Sequence, residues 1–186
     1  MNALDLDNWQ ELHSDDVITY RDLKDTPIPH ITERWIEADF TPLDCLTPEM
    51  IEILKFSDEL VDEFLEAERC VFSVPMHNFS IPSNFKAYID QIVRVGRTFT
   101  LEDGQFKGLA KDKKILFITA RGVEYGENSP YKDWDCQEPA LNYAFQFMGV
   151  SDIQFVHANG LDLGNETRQK ELDKAKSQLQ NLVTNW

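Results

Sequence analysis

The chain has 186 residues, enough for one domain with a sizeable core, and its 42% hydrophobic share excludes disordered and fibrous classes. Lys and Arg number 18 against 33 Asp and Glu, a formal net charge of −15. That balance argues against nucleic acid or an anionic membrane surface as partner, since both need a positive footprint.

In chain order, Leu6, Trp9 and Leu12 stand at helical spacing and predict a helix over Leu4–Leu12. Asp16–Leu23 is rich in β-formers and reads as a strand. Asp25–Pro48 holds four prolines and reads as a surface excursion with a short helix near Glu33–Ala38. Thr47-Pro48-Glu49-Met50 is a helix start, with Ile51, Leu54, Leu60, Val61, Phe64 and Leu65 as one apolar face. Val71–Val74 reads as a buried strand, followed by a turn and a helix from Pro82 to about Val95, stopped by Gly96. Arg97–Gly104 is hairpin-like, with Asp103-Gly104 as the turn. Lys113–Ala120 is the strongest strand, then comes a helix over Glu138–Met148 ending at Gly149. A strand over Ile153–Ala158 and a helix over Glu166–Val183, with Leu172, Ala175, Leu179 and Leu182 inward, complete the chain.

This alternation argues for an α/β fold with a doubly wound parallel sheet. Such sheets bind ligands at the carboxyl ends of their strands, which here are the loops after Val74 and Ala120. There is no GxGxxG, no Walker loop and no Ser-rich turn after a first strand. Cys45, Cys70 and Cys136 form no CxxC pair and read as reduced, hence cytoplasmic. The four histidines show no metal-site spacing, and no Ser/His/Asp or Cys/His set is recognisable. Residues 1–7 do not read as a signal peptide, and no apolar run is long enough to span a membrane.

Pro75-Met76-His77-Asn78-Phe79-Ser80-Ile81-Pro82 and Phe85-Lys86-Ala87-Tyr88-Ile89-Asp90 resemble the FMN-dependent NADH-azoreductases, flavodoxin-like quinone and azo-dye reductases. Gly96-Arg97-Thr98-Phe99, Ile118-Thr119-Ala120-Arg121-Gly122 and Phe147-Met148-Gly149 extend the resemblance over nearly the whole chain. The resemblance implies a flavodoxin-like fold, FMN as cofactor and NADH as electron donor. It implies ping-pong hydride transfer through flavin N5 to a quinone or azo aromatic, in a homodimer whose partner covers the flavin. Met76, His77, Asn78 and Phe79 would wrap the flavin's polar edge, and Ala120, Arg121, Gly122 and Val123 would form the second loop beside the ring. His77 stands where the family often has Tyr, and Val123 where a second Gly is usual.

Each residue also has an ordinary reading. Asn78 alone is a turn residue, His77 an exposed histidine, and Arg121 a surface residue capping the sheet edge. Phe99, Phe106 and Phe147 are core or interface aromatics, and Cys136, in the Trp134–Cys136 loop, is inert. The family's first, central strand and its phosphate loop are not found, which would leave the strands at Val17–Arg21 and Val71–Val74 short of a ladder partner. The expectation is therefore that Met1 is an internal methionine or a misplaced start. The rival is a truncated, flavin-free paralogue acting as an interaction or regulatory protein.

Overall fold

The computed structural model describes residues 9, 10 and 13–186. The helix expected over Leu4–Leu12 lies largely outside them, though Trp9 and Gln10 are helical. The elements that follow are α1 (Glu33–Asp39), α2 (Pro48–Glu66), β1 (Arg69–Pro75), α3 (Ser83–Ile92) and the hairpin β2 (Phe99–Glu102) and β3 (Gln105–Gly108). Then come β4 (Lys114–Ala120), α4 (Gln137–Phe147), β5 (Asp152–Ala158) and α5 (Asn165–Asn185).

The helix starts follow local chemistry. Thr47 Oγ1 accepts the Met50 N–H at 3.3 Å, and Pro48, with no N–H to satisfy, opens α2. Thr32 caps α1 in the same way through the Trp35 N–H at 3.2 Å. At the other end of α4, Gly149 adopts φ +104 and stops the helix as expected. Helix α3 behaves differently from its reading, ending at Ile92 rather than Val95. The buried Thr98 hydroxyl donates to the Ile92 carbonyl at 2.7 Å and accepts the Arg94 N–H at 2.9 Å, which ends the helix early. Gly96, at φ +72, instead closes a turn by donating to the Phe99 carbonyl at 2.7 Å.

Strands β1, β4 and β5 form a parallel sheet in the order β1-β4-β5, with Pro75 opposite Ala120 and Thr119 opposite His157. Strand alternation sends Ile115 and Phe117 to one face and Leu116 and Ile118 to the other. On the first face pack Leu60, Val61 and Phe64 of α2, Phe85 and Ile89 of α3, and Leu141 and Phe145 of α4. On the second lie Leu172, Ala175, Leu179 and Leu182 of α5, with Trp9 and Trp186. Helices therefore cover both faces, and the doubly wound reading holds.

Three expectations need correction. Asp16–Leu23 is not a strand; Val17 is 94% exposed, and no neighbour offers it a ladder among the described residues. The segment is held instead by Arg21, whose guanidinium pairs with Glu63 at 2.7 Å and Glu59 at 2.8 Å on α2. Strand β1 is not buried throughout: among the described residues it is an edge, and of its side chains only Val74 is fully covered. Ile51 sits on the outer side of α2, exposed, while Leu54, Leu60, Val61 and Phe64 face inward as expected.

The hairpin turns at Asp103 (φ +53) and Gly104 (φ +75), the geometry a two-residue turn needs. It docks through a backbone contact: a Cβ on Gly108 would lie 2.2 Å from the Gly149 nitrogen. Beside it, the buried Arg94 guanidinium bonds Asp39, the Ser57 hydroxyl at 2.7 Å and Asp58 at 3.1 Å. This ties α1, α2 and the end of α3 into one unit. Burial pushes the Asp39 carboxyl above its ordinary range despite the adjacent guanidinium. Arg94→Met should therefore cost about 3–5 kcal/mol at neutral pH, by stranding a buried carboxylate. The loss should shrink toward acid pH, where Asp39 can take up a proton; urea unfolding at several pH values measures it.

Candidate functional site

The loops that leave β1 and β4 lie side by side at the carboxyl end of the sheet. The Met76 N–H donates to the Ala120 carbonyl at 2.9 Å, extending the ladder beyond Pro75. The chain then reverses at once: His77 and Ser80 exchange N–H···O bonds of 2.9 and 3.0 Å around Asn78 and Phe79. Both central residues adopt positive φ, +46 and +70. Asn tolerates that region, but for Phe79 it carries a strain of about 1–2 kcal/mol. The turn leaves the Asn78 and Phe79 N–H groups without an acceptor among the described residues. His77, Asn78 and Phe79 are exposed and Met76 is half-buried.

The second loop is stitched to the chain after β5. The Arg121 N–H donates to the Ala158 carbonyl at 2.9 Å, while Arg121 and Gly122 carbonyls accept the Leu161 and Asp162 N–H groups, both at 3.0 Å. The side chain of Arg121 turns inward, away from the surface position that was one of its readings. Its Nη1 lies 3.0 Å from Asp135 Oδ2, its Nε donates to Gln137 Oε1 at 3.0 Å, and it stacks 5.8 Å from the Tyr125 ring centroid. Burial lowers the Arg121 pKa, and Asp135 and Glu138 act against that shift. Its Nη2 is buried and has no hydrogen-bond partner among the described residues; Glu138 Oε2 is 3.9 Å away, too far to serve. Arg121 thus offers a ligand its loop backbone, not its guanidinium. Gly122 and Val123 are half-buried, and their N–H groups have no acceptor among the described residues.

All eight residues expected at the site come together here. Four unpartnered N–H donors stand on two loops that leave neighbouring strands, whose spacing is about 4.8 Å. Such an array suits the electron-rich N–C=O edge of a planar heterocycle. The buried Asn159 Oδ1, in the loop after β5, is a further polar atom without a partner among the described residues. No group of three or more His, Cys, Asp or Glu able to hold a metal occurs among the described residues.

Asp135, Gln137, Glu138 and His157 were not singled out from the sequence. Asp135 Oδ1 accepts the Gln137 and Glu138 N–H groups at 2.9 and 3.1 Å, capping α4, while Gln137 Nε2 reaches the Val74 carbonyl at 3.0 Å. The Asp-x-x-Glu spacing of Asp135 and Glu138 is a helix-start signal that could have marked this corner. His157 joins the network across the sheet, with Nδ1 2.7 Å from Thr119 Oγ1 and Nε2 3.1 Å from Glu138 Oε2. That bond holds the Glu138 carboxyl below its ordinary value of 4.5. A depressed carboxyl stabilises the fold above its ordinary pKa and loses that contribution as pH falls through the folded one. Glu138→Gln should therefore lower the thermal midpoint near neutrality, and the difference from wild type should close as pH falls below the ordinary carboxylate range.

Comparison with known proteins bears on the fold and the family. The family described as flavodoxin-like fold matches residues 2–183. FMN-dependent NADH:quinone oxidoreductase 2 of Trichormus variabilis is 49% identical over 182 residues, 97% of this chain and 88% of that protein. An azoreductase of Bacillus anthracis str. Sterne shares the fold with TM-score 0.89 at 24% identity, over 97% of this chain and 88% of that one. An FMN-dependent NADH-azoreductase of B. anthracis str. Ames Ancestor, solved in complex with FMN, has TM-score 0.80 at 28% identity, over 96% and 87% of the two chains. The chain belongs to the FMN-dependent NADH:quinone oxidoreductases of flavodoxin-like fold.

Proposed function

We propose that this chain is an FMN-dependent oxidoreductase that takes electrons from NADH and reduces quinones or azo aromatics. The observation that carries the reading is the paired set of unpartnered N–H donors at Asn78, Phe79, Gly122 and Val123. FMN, when bound, would accept two electrons from NADH and pass them to the acceptor. Met76, His77, Asn78 and Phe79 would hold the ring's polar edge, and Ala120, Arg121, Gly122 and Val123 would line its side. The strained turn at Asn78 and Phe79 aims the donors before the ring arrives, so little ordering cost remains on binding. Arg121 keeps the second loop in register from below. The names of the relatives, which specify FMN, give no support to the flavin-free alternative.

The hairpin and α4 expose Leu101, Phe106, Tyr143 and Phe147, with the Phe106 and Phe147 rings 5.4 Å apart. An apolar face of this kind supports a homodimer. Among the described residues no helix is long and apolar enough to cross a membrane. The reduced cysteines support a cytoplasmic location.

The primary test adds FMN to the purified chain and dialyses it. Retained flavin that NADH bleaches and a quinone recolours is the expected result; a colourless protein after dialysis would overturn the reading. Asn78→Val, a β-branched residue at positive φ, should weaken FMN binding roughly 5- to 30-fold, and Asn78→Gly far less, read by flavin fluorescence titration. Sedimentation should find a dimer that Phe106→Glu converts to monomer.

A further inference from the structure

The two N–H donors of the second site loop are aimed from behind. A trans peptide is planar, so its C=O and N–H point in opposite directions. The Arg121 carbonyl accepts the Leu161 N–H at 3.0 Å, so the Gly122 N–H of that same peptide unit faces away from Leu161. The Gly122 carbonyl accepts the Asp162 N–H at 3.0 Å, which turns the Val123 N–H outward by the same rule. The two segments approach closely because residue 122 is glycine: a Cβ there would lie 2.5 Å from Asp162 Oδ2.

Leu161 and Asp162 are held in turn by Arg168, in the first turn of α5. Its Nε donates to the Leu161 carbonyl at 2.8 Å, and its Nη2 lies 3.4 Å from Asp162 Oδ1. Leu161 is therefore restrained on both sides, its N–H by the site loop and its C=O by the helix. The helix is a firm base, because Leu172, Ala175 and Leu179 seat it on the sheet. The Arg168 side chain is 52% exposed, and an ordinary surface ion pair of that exposure contributes little to stability. A bond to a backbone carbonyl acts differently, since it restrains the main chain itself. The planar fork of one guanidinium reaches both acceptors at once.

Resting on the oxidoreductase reading, we propose that Arg168 is a positioning residue for FMN. It clasps Leu161 and Asp162 so that Gly122 and Val123 present their N–H groups to the ring. Arg168 acts through the backbone of two loops and supplies no group to the ring. A misplacement of about 1 Å removes most of the value of an oriented donor. Slack in the clasp therefore lowers ring affinity before it lowers the stability of the fold.

The first measurement is amide hydrogen exchange on the FMN-free chain, which is independent of turnover. Arg168→Ala should speed exchange at Leu161 and Asp162 roughly 10-fold and leave the β4 amides of Leu116 and Ile118 unchanged. The second is flavin fluorescence titration, in which Arg168→Ala should weaken FMN binding roughly 3- to 10-fold. Arg168→Lys keeps the charge but not the fork and should recover only part of that loss. Lys174→Ala removes a cation from the same helix, one that lies 3.4 Å from Glu171, and should leave exchange and FMN binding unchanged. Unchanged exchange at Leu161 and Asp162 in Arg168→Ala, or unchanged FMN affinity, would overturn the clasp. So would full recovery by Arg168→Lys or an equal loss in Lys174→Ala, since either assigns the effect to charge alone. Equal acceleration at Leu116 and Ile118 would give Arg168 a general structural role and overturn the proposal too. A wild-type chain that binds no FMN would instead overturn the oxidoreductase reading, and the exchange rates tell the two failures apart.

Discussion

The guanidinium of Arg121 sits where β4, the start of α4 and the carboxyl end of β1 meet, and the site loops take their positions from it. Burying a cation costs several kcal/mol, and here Asp135, Gln137 and the Tyr125 ring offset that cost. Asp135 spends its other oxygen on the first N–H groups of α4, and Gln137 spends its amide on the Val74 carbonyl. One buried charge therefore sets the angle of a helix, the seat of a strand end and the course of the loop between them. The Nη2 has no hydrogen-bond partner among the described residues, and Glu138 Oε2 stands 3.9 Å from it.

That frame lets the neighbouring turn carry strain. Phe79 adopts a conformation that aromatic residues avoid, and it does so between two fixed points. On one side the reciprocal His77–Ser80 bonds close the turn; on the other the Cys136 N–H grips the Phe79 carbonyl. Strain held by rigid surroundings leaves the freed N–H groups pointing outward in a fixed array, which is what recognition of a flat polar edge requires. The two buried clusters on opposite sheet faces supply the stiffness beneath it.

Charge is divided by depth. The surface excess of carboxylates governs what approaches, while the buried cations Arg94 and Arg121 each hold segments distant in sequence. Arg94 binds the excursion before α2 to the core, and Arg21 fastens the preceding segment to the outer side of α2. An acidic chain thus uses its few guanidiniums as internal fasteners, since a planar donor fork satisfies several acceptors at once.

Much of this was legible in the residues themselves. Thr47-Pro48 announced α2, Asp103-Gly104 the hairpin turn and Gly149 the end of α4, because capping and turn chemistry act over three or four residues. The Met76–Phe79 and Ala120–Val123 loops stood out as a site because both follow strand ends and match a specific family pattern. Long-range partners were not legible. Asp16–Leu23 has the composition of a strand, but a strand exists only against a neighbour, and among the described residues none lies beside it. Nor could spacing reveal that Arg121 turns inward to Asp135 and Gln137, that His157 meets Glu138 across the sheet, or that Trp134 closes on Phe79. The sequence by itself determined most of the elements, their order and the two strand-end loops proposed as the site, since local backbone preference and periodicity are short-range. Only the tertiary structure decided which charges are buried, which strand is an edge among the described residues and which rings meet, because those depend on contacts between residues far apart in the chain.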